Sequence, residues 1–166
     1  MLFLPALFSR TQVFFIMPTH LAVAIVAQNT QDALAQARSL PAAVTLVEYR
    51  LDSMAQVDVA ALAAQTPLPA IFTCRPVGQG GQFSGSEAER HHILHQALST
   101  RHWVDVELDA LPTLRPHIRQ PKRVIGSHHD FTGMFTQWAE LEAQIRARGA
   151  GIAKLVGMAT DRKSVV

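Results

Sequence analysis

The stretch RVIGSHHDFTGMFTQWAELEAQIRARGAGIAKLVGMA, residues 123–159, decides the fold. Two β-rich apolar runs, RVIGSHHD from Arg123 and IAKLVGMA from Ile152, flank a segment with helical spacing over 136–148. Thr136 is placed to cap that helix, and Gly149 to end it in a left-handed turn. Strand, helix and strand in this order form the repeating piece of a parallel sheet covered by helices.

The same alternation runs back to Leu21. Strands are expected at LAVAIVA from Leu21, AVTLVEYRLD from Ala43, PAIFTCR from Pro69 and WVDVEL from Trp103. Helices are expected over 30–40, 57–64 and 86–98, with a short proline-interrupted segment after Leu111. Ser86 and Glu89 form a capping box at the head of the third helix. Repeated βα units fit either a doubly wound sheet or an eight-fold barrel, and no glycine-rich nucleotide fingerprint follows the first strand. The expected class is therefore α/β, a (β/α)8 TIM barrel with about six of its βα units present, since a whole barrel takes about 250 residues and this chain has 166.

Composition narrows the function. An apolar share of 48% fits a globular domain, and a net charge of +2 with scattered basic residues lacks the electrostatic footprint of a nucleic-acid binder. The single cysteine, Cys74, has no partner for a disulfide or a zinc cluster, so a cytoplasmic setting is expected. The opening MLFLPALFSRTQVFFI lacks a basic n-region and is too short and too polar in its middle to span a bilayer. Residues 1–16 are therefore expected to be a mis-called extension before Met17, residues 17–160 the partial barrel, and no membrane partner is expected. The closing DRKSVV, 161–166, matches the translated read-through of a common sequencing adapter and is expected to be a non-native tail rather than the start of a sixth helix.

In a barrel, the carboxyl ends of the strands converge on one mouth, so their polar residues are read together. The second strand ends in Glu48, Tyr49 and Arg50, the third in Arg75 and the fifth in His128, His129 and Asp130; the sixth carries Lys154 in an apolar run. Burial of a lysine among apolar residues and cations favours the free amine, a nucleophile toward ketones. The alternative is a lysine that reaches the rim or pairs with a carboxylate. His129 is the candidate proton shuttle, and the forks of Arg50 and Arg75 suit hydroxyls or a carboxylate.

The elements EYRLD at 48–52, IFTCRP at 71–76, GGQFSGSEAER at 80–90, WVDVEL at 103–108, GSHHDF at 126–131 and the strand around Lys154 occur in that order. Together they resemble the type I 3-dehydroquinate dehydratases over residues 21–159. The resemblance implies Lys154 as the Schiff-base lysine, His129 as general acid and base, Glu48, Tyr49, Arg50 and Arg75 as substrate-binding residues, and Phe131 as a pocket wall. It implies dehydration of 3-dehydroquinate to 3-dehydroshikimate in the shikimate pathway, without metal or cofactor, in a homodimer when full length.

Two positions depart from the family pattern. Gln79 stands where a glutamate usually pairs with the catalytic histidine, and is expected to orient His129 by hydrogen bonding. Ile25 stands where many members place a substrate-contacting serine. The family also keeps an arginine for the substrate carboxylate and a Ser/Gln pair in a C-terminal part that this sequence does not include. His91, His92 and His95, His102, His117 and His128 are read as ordinary solvated residues, and Asp105 and Glu107 as structural support. Two other readings compete: a class I aldolase-like barrel using the same lysine, and an inactive fragment with two open sheet edges.

Overall fold

A computed structural model describes residues 19–159; the expected N-terminal extension, up to residue 16, and the 161–166 tail lie outside them. Eleven elements alternate as β1 (Ala22–Ile25), α1 (Thr30–Arg38), β2 (Leu46–Arg50), α2 (Val59–Gln65), β3 (Ala70–Thr73), α3 (Glu87–Leu98), β4 (Trp103–Glu107), α4 (Leu111–Leu114), β5 (Val124–Asp130), α5 (Trp138–Ala147) and β6 (Ile152–Gly157). The strands pair parallel in the order β1-β2-β3-β4-β5-β6. That unbroken order curls a sheet toward a barrel, whereas a doubly wound sheet reverses its order midway.

Strand alternation divides the side chains into two sets. Val47, Tyr49, Phe72, Val104 and Val106 point outward and are buried under the helices, against Leu34, Leu62, Leu94, Leu111 and Ile145. Each large aliphatic or aromatic group so buried contributes about 1.5–3 kcal/mol. Tyr49, expected at the mouth, belongs to this outer layer. Its ring stacks on Phe72 and its hydroxyl donates to Thr66 Oγ1 at 2.9 Å. Ile25 pairs with Tyr49 in register and shares its outward direction, in the same buried layer.

Ends of elements follow local chemistry. The Ser86 and Glu89 capping box forms as expected, and Gly149 closes α5 at φ 103°. Thr136 does not cap α5: the helix starts after Gln137 with no side-chain hydrogen bond. Apolar packing holds that start instead, with Phe135 edge-on to Trp138 at 4.8 Å and beside His128 at 5.4 Å. His102 is buried rather than solvated. Its Nδ1 accepts from the Ala70 amide at 3.3 Å, and its Nε2 donates to the Ala63 carbonyl at 3.1 Å.

Gly126 lets α5 close on β5, since a Cβ there would lie 2.3 Å from Ile145 Cγ2 and 2.9 Å from Ala150 Cβ. Gly126→Ala is expected to cost about 1–3 kcal/mol by overpacking, read as a lower urea midpoint. Among the described residues, no helix is long and apolar enough to cross a membrane.

Candidate functional site

The second set of side chains faces the concave side of the sheet. Register pairs Thr73 with Asp105, Glu107 with Ser127 and Ser127 with Lys154, so these residues form neighbouring rows on that face. Arg75 and His129 continue β3 and β5 in the same direction.

Asp105 is the hub. Its side chain is 1% exposed. Its Oδ2 accepts from Arg75 NH2 at 2.7 Å and from Lys154 Nζ at 3.1 Å, and its Oδ1 accepts from Ser127 Oγ. Lys154 crosses from β6 to β4 because β5 presents only Ser127 between them. Of the two placements weighed for Lys154, the structure shows the one paired with a carboxylate: its side chain is 39% exposed and joined to Asp105.

Arg75 is buried and spends its fork inside the protein. Besides Asp105, it reaches His129 Nδ1 at 2.7 Å, Ser127 Oγ at 3.4 Å and Glu107 Oε1 at 3.9 Å. Both terminal nitrogens of that guanidinium are thus engaged by protein groups. Because a guanidinium only donates, His129 Nδ1 must accept, which assigns the neutral ring with its proton on Nε2. Burial, then the charges of Arg75 and Lys154, push the His129 pKa down to about 4.

This shift links to stability. The unfolded chain takes a proton on this histidine near pH 6.5, while the folded chain resists until about pH 4. The contribution is complete above the unfolded pKa and lost as pH falls through that window. After allowance for partial solvent access, unfolding near pH 5 is expected to need about 1 kcal/mol less than near pH 7, a difference that His129→Gln removes. Urea titrations at the two pH values check this.

The remaining expected residues divide. Glu48 faces inward and accepts from Thr73 Oγ1 at 2.6 Å. Arg50 also lies on this face, held bidentately by Asp52 at 2.9 and 2.7 Å. Burial alone would raise the Asp52 carboxyl, but the Arg50 fork and the Gln82 amide outweigh it and hold its pKa below the ordinary value. The Gln82 amide donates to Asp52 at 2.9 Å and so ties the loop after β3 to β2. Phe131 sits exposed at the rim, its ring 6.2 Å from that of His129. Gln79 does not orient His129; its Oε1 is buried without a hydrogen-bond partner, while Arg75 holds the imidazole. The turn over Val77–Gln79, closed by Gly80 at φ 76°, sets where Gln79 points.

Sequence reading undervalued Asp105, Ser127 and Asp52. The available signal was parity: Asp105 and Ser127 alternate onto the inward face with Arg75, His129 and Lys154. Glu107, also inward, accepts from Arg90 NH1 at 2.5 Å, and burial raises its pKa. Among the described residues, no three His, Cys, Asp or Glu side chains are grouped as metal ligands.

A parallel βα sheet with its polar side chains gathered near the carboxyl ends of the strands defines a βα-barrel protein, the class that carries its sites on that face. The chain belongs to the type I 3-dehydroquinase family, whose model matches residues 21–166. It is 33% identical over 138 residues to the 3-dehydroquinate dehydratase of Methanosarcina barkeri, an overlap of 73% of this chain and 57% of that protein. It is 34% identical over 127 residues to the chloroplastic bifunctional 3-dehydroquinate dehydratase/shikimate dehydrogenase of Arabidopsis thaliana, covering 70% of this chain and 21% of that one.

Two solved structures share the fold. The 3-dehydroquinate dehydratase of Geobacillus kaustophilus superposes with a TM-score of 0.70 at 22% identity, over 87% of this chain and 63% of that one. A type I enzyme from Clostridium difficile, solved with covalent modified comenic acid, gives 0.72 at 22% identity, over 87% and 65%. The chain thus spans less than two thirds of each of these proteins.

Proposed function

We propose that this chain carries the lysine-bearing part of a site that dehydrates 3-dehydroquinate to 3-dehydroshikimate, within the shikimate pathway. The observation that carries the reading is the joined cluster: Lys154 Nζ on Asp105, with Arg75 linking the same carboxylate to His129. Family membership supplies the substrate.

In this reading the Lys154 amine, after giving up a proton, adds to the C3 ketone, and the carbinolamine hydroxyl, taking a proton from solvent, leaves as water to give an iminium. An iminium draws electrons from the neighbouring C2–H bond more strongly than the ketone does, so a modest base suffices. His129 takes the C2 proton, the C1 hydroxyl leaves as water with a proton returned by that imidazole, and hydrolysis of the iminium frees product and lysine. These steps call for neither metal nor cofactor.

His129 at rest offers Nε2–H and keeps its lone pair against Arg75. To accept the C2 proton it must loosen that contact, so substrate binding is expected to lengthen the bond to Arg75. Glu48 and Arg50 are proposed to meet substrate hydroxyls, and Phe131 to wall the rim. Arg75 acts by holding Asp105 and His129 rather than by touching substrate.

Sodium borohydride added to the chain with 3-dehydroquinate tests the proposal. The expected result is a reduced, covalent adduct mapped to Lys154 by peptide mass spectrometry. A folded chain that yields no adduct, or one on another lysine, overturns it.

A further inference from the structure

We propose that Asp105 is the counter-ion that keeps the imine nitrogen on Lys154 protonated, an inference that rests on the Schiff-base reading above. Its carboxylate is buried and saturated, with Oδ1 receiving Ser127 Oγ and Oδ2 receiving both Arg75 NH2 at 2.7 Å and Lys154 Nζ at 3.1 Å. Ser127 and Arg75 fix the carboxylate on two sides, and Arg75 is itself fixed by His129 at 2.7 Å. The one Asp105 partner not locked by burial is Lys154, 39% exposed, whose nitrogen is the atom that changes chemistry.

The need for a counter-ion follows from basicity. When the nitrogen lone pair of the carbinolamine forms the C=N bond, the C–OH bond breaks. The hydroxyl leaves as water with a proton taken from solvent, and the product is an iminium. An imine nitrogen is a much weaker base than an amine, so near neutral pH it sheds its proton unless an opposite charge holds it. Only the protonated form is the electron sink that C2 deprotonation needs. A carboxylate in a dry setting beside Nζ supplies that charge without reorganising. Glu107 is poorly suited to the role: it faces Arg90 at 2.5 Å, and burial raises its pKa. Arg75 adds a compensating positive charge on the far side of the carboxylate.

The groups facing Nζ on this side of the sheet are therefore Asp105 as the anion, Arg75 as the fixed cation behind it, neutral His129, and the hydroxyl of Ser127. The inference is that Asp105 is a positioning and charge-balancing residue, with a pH signature that a structural role alone does not produce.

Borohydride trapping with 3-dehydroquinate on the 166-residue chain and its Asp105→Asn variant, across a pH series and with folding checked by circular dichroism, provides the test. Near pH 6 the two are expected to trap within about threefold of each other, because solvent then protonates the imine; near pH 8 the variant is expected to fall at least about tenfold below the parent. Parallel pH profiles in a folded variant overturn the counter-ion role while leaving the Schiff-base reading intact. A second measurement needs neither variant nor substrate: trinitrophenylation by trinitrobenzenesulfonate near pH 8, in which the free amine displaces sulfite from the ring, comparing Lys154 with exposed Lys122 in the parent chain. If the variant does not fold, this comparison decides; a folded parent chain that traps nothing overturns the Schiff-base reading and the counter-ion role with it. Lys154 slower by about fivefold or more supports the pairing with Asp105, and equal rates overturn it.

Discussion

Lys154→Ala is expected to abolish the borohydride adduct and to lower any 3-dehydroquinate dehydration by this chain by at least about four orders of magnitude, the scale on which removing a covalent nucleophile acts. The argument separates chemistry from folding. Lys154 is the most solvent-accessible member of the cluster's ion pairs, and its loss leaves Asp105 still held by Arg75 and Ser127. The stability change is therefore expected to stay within about 1 kcal/mol. Lys154→Arg sharpens the result, because a guanidinium keeps a positive charge near Asp105 yet cannot form an imine. Both variants folded and both without adduct is the expected outcome, measured by thermal melts and intact mass. Retained dehydration in a folded Lys154→Ala chain would remove the covalent mechanism altogether.

Much of this arrangement was legible before any coordinates, for a specific reason. A parallel strand buried on both faces still alternates, so Glu48, Arg50, Arg75, His129 and Lys154 could be collected on one side by parity and by their places near strand ends. The structure gathers those five on the concave face. Tyr49 failed because the resemblance treated a contiguous segment as one contact surface, whereas alternation between Glu48 and Arg50 turns it outward under the helices. Ile25 lies in the same outward layer, through its register with Tyr49.

Contacts across strands were not legible. Lys154 meets Asp105 two strands away, one row lower in the ladder, and only because β5 carries the small Ser127 in between. That depends on stagger, which a linear pattern does not encode. Gln79 was unreadable for a different reason: its direction is set by a turn closed in the left-handed region at Gly80, not by a strand or helix period. The start of α5 follows tertiary packing of Phe135 and Trp138 instead of the polar cap that Thr136 offered.

The second large effect falls on Arg75, and it follows from where its donors go. Arg75→Met keeps much of the buried volume but removes the donors to Asp105 and His129 and the weaker contacts to Ser127 and Glu107. Breaking a buried ion pair by deleting one partner costs about 3–5 kcal/mol. The lower end is expected here, since Asp105 keeps Lys154 and Ser127 and Glu107 keeps Arg90. His129 then loses the cation that holds its lone pair, and its pKa rises from about 4. It does not return fully to the ordinary value, because burial is the larger cause of the shift and remains. Stability should then depend less on pH between about 4 and 6.5, since the native and unfolded protonation curves lie closer together. Urea unfolding near pH 7 and pH 5 reads both effects: a large loss at pH 7, and a smaller further loss on acidification than in the parent chain. An arginine bound mainly for substrate would behave differently, weakening binding while leaving the unfolding midpoint and its pH dependence in place.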